Sequence, residues 1–158
     1  MNSSEDPKES EPVAARSVED ADEETKEVSS RILDIIDLKG KVSEPGPGVN
    51  SCEGRDTEKF YKMIHPWSLT GAENGELRQA MTRLREKLPK EGWKIVAYGR
   101  NSSRAKSLEL TADNHEKKFG VNVELWEEKE SSGKKPKLVV SVISACYQTP
   151  KGEKVEPY

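Results

Sequence analysis

No apolar run in this 158-residue chain approaches the roughly 18 residues that a membrane-crossing helix needs. Metal-ligand chemistry is equally thin. There are two histidines, His65 and His115, and two cysteines, Cys52 and Cys146, with no CxxC or comparable spacing. A zinc site is therefore not expected, and neither is any cofactor. No EF-hand-like ligand run occurs, and no serine or cysteine is placed by motif to act as a nucleophile. Apolar residues as a whole are few, 32% against 35% charged, below the usual share for a globular chain. Much of that deficit lies at the N-terminus. Residues 1–30 carry ten acidic and three basic side chains, and the first two dozen include no aromatic, leucine or isoleucine. Such a segment buries too little surface to offset its ordering entropy, which predicts a disordered acidic tail over residues 1–21. Net charge is −3 overall, so residues 31–158 sum to about +4, too little for a strongly basic nucleic-acid binder.

Residues 22–158 contain enough patterned sequence for one modest α+β domain. Val28, Ile32, Ile35 and Ile36 recur at helical spacing, which predicts a first helix over 22–39 with Gly40 as its stop. A Pro/Gly connector follows over 43–50 (Ser43-Glu44-Pro45-Gly46-Pro47-Gly48), read as irregular. Residues 59–69 are aromatic-rich and extended, with Pro66 favouring an edge or a bulge. A second helix is predicted from a capping box at Thr70–Glu73 through the stripe Leu77, Met81, Leu84, Leu88, ending at Pro89 and Gly92. Strands are expected at 93–98, around Leu108 and Leu110, at 119–125 and at 137–147, the last being the most apolar and so central. The core thus spans 59–148. The expected fold is α+β, an antiparallel sheet of four to five strands with one or two helices packed on one face.

Cys52 follows the connector and Cys146 ends the most apolar strand. Of the two readings, a disulfide stapling the connector to the sheet or two buried thiols, the disulfide is the expected one, because both positions flank ordered segments and a domain poor in apolar residues gains from a staple. His65, Pro66 and Trp67 form a possible binding surface. Trp67 is expected at a strand end, where an exposed aromatic marks recognition. His65 becomes a general base only if the fold brings it beside a nucleophile or paired carboxylates. His115 sits in a charged turn and reads as solvated. Glu124, Glu127, Glu128 and Glu130 read as a solvated rim, and so do Arg78, Arg83, Arg85, Lys87 and Lys90 on the second helix. Lys134, Lys135 and Lys137 make a basic hairpin loop.

Several stretches resemble a group of uncharacterised lipoproteins of Streptomyces and related actinobacteria. They are Ser29–Asp34, Val42–Val49, His65–Leu69, Leu88-Pro89 with Gly92–Lys94, and Val142–Cys146 followed by Pro150–Gly152. The similarity spans about residues 22–158. It implies export and lipid anchoring through an N-terminal cysteine, whereas this sequence has polar and acidic residues after Met1 and no cysteine before Cys52. The expected function is a non-catalytic extracytoplasmic binding or structural module, its partner a protein or a cell-envelope ligand. Contact with a membrane is expected only through an anchor absent from this sequence, and none with nucleic acid. The alternative, if Met1 is the true start, is a cytosolic adaptor or inhibitor that recognises another protein through a sheet edge or the Pro66–Trp67 surface.

Overall fold

The computed structural model describes residues 13–155. Helix α1 runs over Val18–Ile36. Ser17 caps it by accepting the Asp20 N–H at 3.1 Å, and Glu19 and Asp20 fill the first turn, where the helix dipole favours carboxylates. It starts four residues before the expected boundary. It also stops before Gly40, because Asp37 adopts the left-handed conformation (φ 51°) that asparagine and aspartate tolerate. Gly40 serves a close approach instead: a Cβ there would lie 2.3 Å from the Thr70 carbonyl oxygen.

The sheet has eight strands: β1 (Lys41–Val42), β2 (Gly48–Asn50), β3 (Phe60–Thr70), β4 (Lys94–Arg100), β5 (Leu108–Asn114), β6 (Phe119–Trp126), β7 (Lys137–Ser144) and β8 (Tyr147–Gln148). All pair antiparallel in the order β1-β3-β7-β6-β5-β4, with β2 and β8 also on β3. The expectation of four to five strands is therefore wrong. The additional strands, β1, β2 and β8, are two or three residues long, too short to show a period. They exist because β3, at eleven residues, offers both of its sides to short segments. The connector is irregular only in part, since its end at Gly48–Asn50 pairs with Lys62–Ile64. The expected strand 137–147 is broken at Ala145 and Cys146, where the Ala145 N–H turns aside to the Lys118 carbonyl. Pro66 pairs with Ser141 of β7 and lies between the stretches of β3 that hold β1 and β2, so its missing donor falls where β3 has no outer strand among the described residues.

Helix α2 (Asn74–Lys87) begins at Glu73, whose N–H is capped by Glu76 at 3.0 Å, three residues after the expected box. Its stripe of Leu77, Ala80, Met81 and Leu84, continued by Leu88, is fully buried. With Val28, Ile32, Ile35 and Ile36 of α1 it covers one face of the sheet, meeting Trp67, Leu69, Leu110, Val121, Val123, Leu125, Leu138, Val140 and Val142. Among the described residues no α-helix covers the other face of the sheet.

A second, smaller core lies at the β8 end of the sheet: Ala21, Tyr61, Met63 and Tyr147, flanked by Val18, Val49 and Val155. Residues 14–16 close it. Ala15 bridges Gln148 in parallel, the Arg16 N–H donates to the Gln148 carbonyl at 2.8 Å, and the Tyr61 hydroxyl donates to the Arg16 carbonyl at 2.6 Å. The Arg16 guanidinium stacks 5.3 Å from the centre of the Tyr147 ring and pairs with Glu24. The expected tail over 1–21 therefore overran an ordered arm, while residues 1–12 lie outside the described residues. Sequence composition missed the arm because it holds through the Arg16 backbone and guanidinium and the Ser17 cap, with Val18 its one apolar side chain against the small core. A chain lacking residues 1–20 should melt below one lacking residues 1–12, with the lost cap alone worth on the order of 1 kcal/mol. Equal melting temperatures would show that the arm adds nothing.

Candidate functional site

Odd-numbered residues of β3 face the helices: Tyr61, Met63, Trp67 and Leu69 are buried there. His65 shares that face and falls between the two cores, beneath α1. The helix presents polar residues at that level, with Asp22, Thr25 and Ser29 all buried. The Thr25 hydroxyl satisfies itself on the Ala21 carbonyl at 2.7 Å. Ser29 Oγ lies 2.7 Å from His65 Nδ1 and accepts the Trp67 indole N–H at 3.2 Å. An indole nitrogen can only donate, and the serine oxygen keeps a second lone pair and its own hydrogen, so Ser29 can meet His65 Nδ1 in either tautomer of the ring.

Burial holds His65 below its ordinary value of 6.5. Asp22 and a hydrogen bond to the Pro45 backbone pull the other way, and Lys26, paired with Asp22 at 2.8 Å, adds to the depression. Since the unfolded chain takes up this proton more readily than the folded one, stability is full above about pH 6.5 and falls as acid carries the pH down through the folded-state value. His65→Gln should remove that part of the slope. Identical pH–stability curves for the two proteins would show that His65 is not the titrating group.

The fold thus does bring His65 beside a hydroxyl, one that sequence reasoning missed. Ser29 is 36 positions away and reads as one more polar residue on a helix. The site is not a surface, however. Trp67 is 4% exposed, because it sits mid-strand on the inward face rather than at a strand end; Pro66 alone of the three is exposed.

The other candidates are spread around the molecule. Cys52, between β2 and β3, and Cys146, between β7 and β8, form a disulfide with Cα atoms 6.0 Å apart. His115 is exposed in the β5–β6 turn. The basic residues of α2 are largely engaged. Arg78 forks onto Glu127 at 3.0 and 3.2 Å, holding that carboxyl below its usual range. Arg83 donates to the Ile36 carbonyl at the C-terminus of α1, and Arg85 lies over the Tyr98 ring. Glu124 accepts from Asn101 at 3.0 Å and from the Trp126 indole, and the Glu128 backbone is gripped by Asn74. Among the described residues no group of three His, Cys, Asp or Glu side chains is gathered to hold a metal. Between α1 and the turn at Glu91 runs an open groove of about 390 Å³, lined by Glu24, Glu27, Val28, Arg31, Glu91 and Lys117. Arg31 and Glu91 close part of it with a forked pair at 2.7 and 3.0 Å. No family model matches the chain, and no curated protein or solved structure is detectably similar to it.

Proposed function

We propose that this chain is a non-catalytic binding or structural module that works outside the cytoplasm, in the manner of the actinobacterial lipoproteins its sequence resembles. The observation that carries the reading is the Cys52–Cys146 disulfide, because such bonds form and persist in oxidising compartments. The Ser29–His65 pair supports the non-catalytic part. A nucleophile has to meet its substrate, whereas Ser29 is 5% exposed, turned inward from the middle of a helix, and already hydrogen-bonded to Trp67.

Two measurements test the two halves. Protein taken from its own cells, with thiols alkylated at lysis, should carry neither cysteine modified. Two alkylated cysteines would point to the cytosolic adaptor or inhibitor instead. A fluorophosphonate probe for activated serines should leave Ser29 untouched, and a mass shift on the peptide containing Ser29 would sink the non-catalytic reading.

A further inference from the structure

Two loops far apart in sequence meet at one end of the sheet. The β4–β5 loop spans 101–107 and the β6–β7 loop spans 127–136; the register Arg100↔Leu108, Leu108↔Leu125 and Trp126↔Lys137 sets them side by side. Residues 100–107 hold Arg100, Arg104 and Lys106 without an acidic residue. The β6–β7 loop carries Glu127, Glu128 and Glu130 in its first half, with Glu127 held by Arg78. Residues 133–137 hold Lys134, Lys135 and Lys137 with no acidic residue. Arg104, Lys106, Lys134 and Lys135 are all exposed, and none is in an ion pair among the described residues. Between the loops stands Trp126, 41% exposed. Its indole N–H is held by Glu124, and the Lys137 ammonium lies 4.7 Å from its ring centre. The loops are shaped in advance. The Asn101 side chain accepts the Ser103 N–H at 3.1 Å, the Lys106 carbonyl accepts from Arg100, and Ser132 Oγ accepts the Lys134 N–H at 3.1 Å.

We propose that this loop end docks on an anionic lipid bilayer, with the four unpaired basic side chains against the headgroups and Trp126 at the interface. Free cations near an anionic surface gain electrostatic attraction, and tryptophan favours the headgroup level of a membrane. A nucleic-acid strand fits less well. One register row in from the tips, Glu109 and Glu124 stand directly opposite each other on the uncovered face of the sheet. Asn122 and Asn101 hold them, with no ion pair to either carboxylate among the described residues. A polymer laid along that face would bring its phosphates against those carboxylates, whereas a flat surface meets the loop tips, where these four exposed cations outnumber the one exposed carboxylate, Glu130. This docking is separate from any N-terminal anchor: the arm at residues 14–16 lies at the other end of the sheet, beside β8.

The full chain should co-sediment with vesicles of equal parts phosphatidylcholine and phosphatidylglycerol, but not with phosphatidylcholine alone, and added salt should weaken the binding. Trp126 emission should shift to the blue on binding, and Trp126→Phe should lose that shift. Arg104→Gln/Lys106→Gln and Lys134→Gln/Lys135→Gln should each lower vesicle partitioning about 25-fold, roughly fivefold per charge, with unchanged melting temperature. No binding of the wild-type chain to the anionic vesicles overturns the proposal. So does binding that survives both double variants, and so does a single-stranded oligonucleotide bound more tightly than the vesicles through the same four residues.

Discussion

Reduction of the Cys52–Cys146 bond should destabilise the folded chain by about 4–5 kcal/mol, the loop-closure value for a cross-link of this span. The bond joins positions 94 apart, so opening it returns a large share of conformational freedom to the unfolded chain. On the folded side it ties together two of the shortest pieces of the sheet. Cys52 follows β2, a three-residue strand, and Cys146 lies at the break between β7 and β8, itself only two residues long. The small core of Ala21, Tyr61, Met63 and Tyr147 rests on these pieces, and the arm at residues 14–16 docks on β8. Denaturant unfolding with and without a phosphine reductant measures the effect. Cys52→Ser should show the lower stability and no further response to reductant. Hydrogen exchange should place the loosening at Arg16, Gln148 and Thr149, whose amides bond across this end of the molecule. A midpoint that reductant leaves in place would mean that backbone pairing alone holds the β8 end, and the disulfide would then lose its part in stability.

What the sequence made legible follows the range over which each signal acts. Strand β6 was readable because Phe119, Val121, Val123 and Leu125 alternate with polar neighbours, and every one of them is buried. Helix α2 was readable because its leucine stripe keeps period across three turns. The cysteine pairing was legible because both cysteines flank ordered segments in a domain poor in apolar residues, and the bond is present. By contrast, β1, β2 and β8 have no pattern of their own and owe their conformation to β3. The seam under α1 was illegible for a different reason. Asp22, Thr25 and Ser29 look like the wet side of an amphipathic helix, yet they are buried. What allows it is satisfaction of each group by a partner: Lys26 for Asp22, the Ala21 carbonyl for Thr25, His65 and Trp67 for Ser29. The pairing of His65 and Trp67 with Ser29, like Arg83 reaching the Ile36 carbonyl, depends on a partner that only the folded chain brings near. The burial of Trp67 turned on parity: once β3 runs unbroken through Pro66, residue 67 must face the same way as residues 61, 63 and 69.

Leu84→Ala should cost about 2–5 kcal/mol, the range for emptying a buried leucine site. Leu84 is fully buried on α2 within the core cluster that joins both helices to the sheet. Its neighbours Leu77, Met81 and Leu88 on the same stripe are equally buried. The vacated volume is hard to close by collapse. α2 is held at one end by the Arg78–Glu127 fork and Asn74 on the Glu128 backbone, and farther along by Arg83 on the carbonyl of Ile36, the last residue of α1. These contacts resist an inward shift of the helix that would fill the space, and the exposed Arg78–Glu127 pair is the weakest of them. The contrast is Val96, an apolar residue of similar character that is 56% exposed on the edge strand β4, at the register shift between Ile95 and Ala97. Val96→Thr should stay within about 0.5 kcal/mol of wild type, as exposed substitutions usually do. The two variants, unfolded side by side in urea, separate burial from hydrophobicity. Equal midpoints would put the leucine stripe on the surface and dismantle the packing of α2 on the sheet.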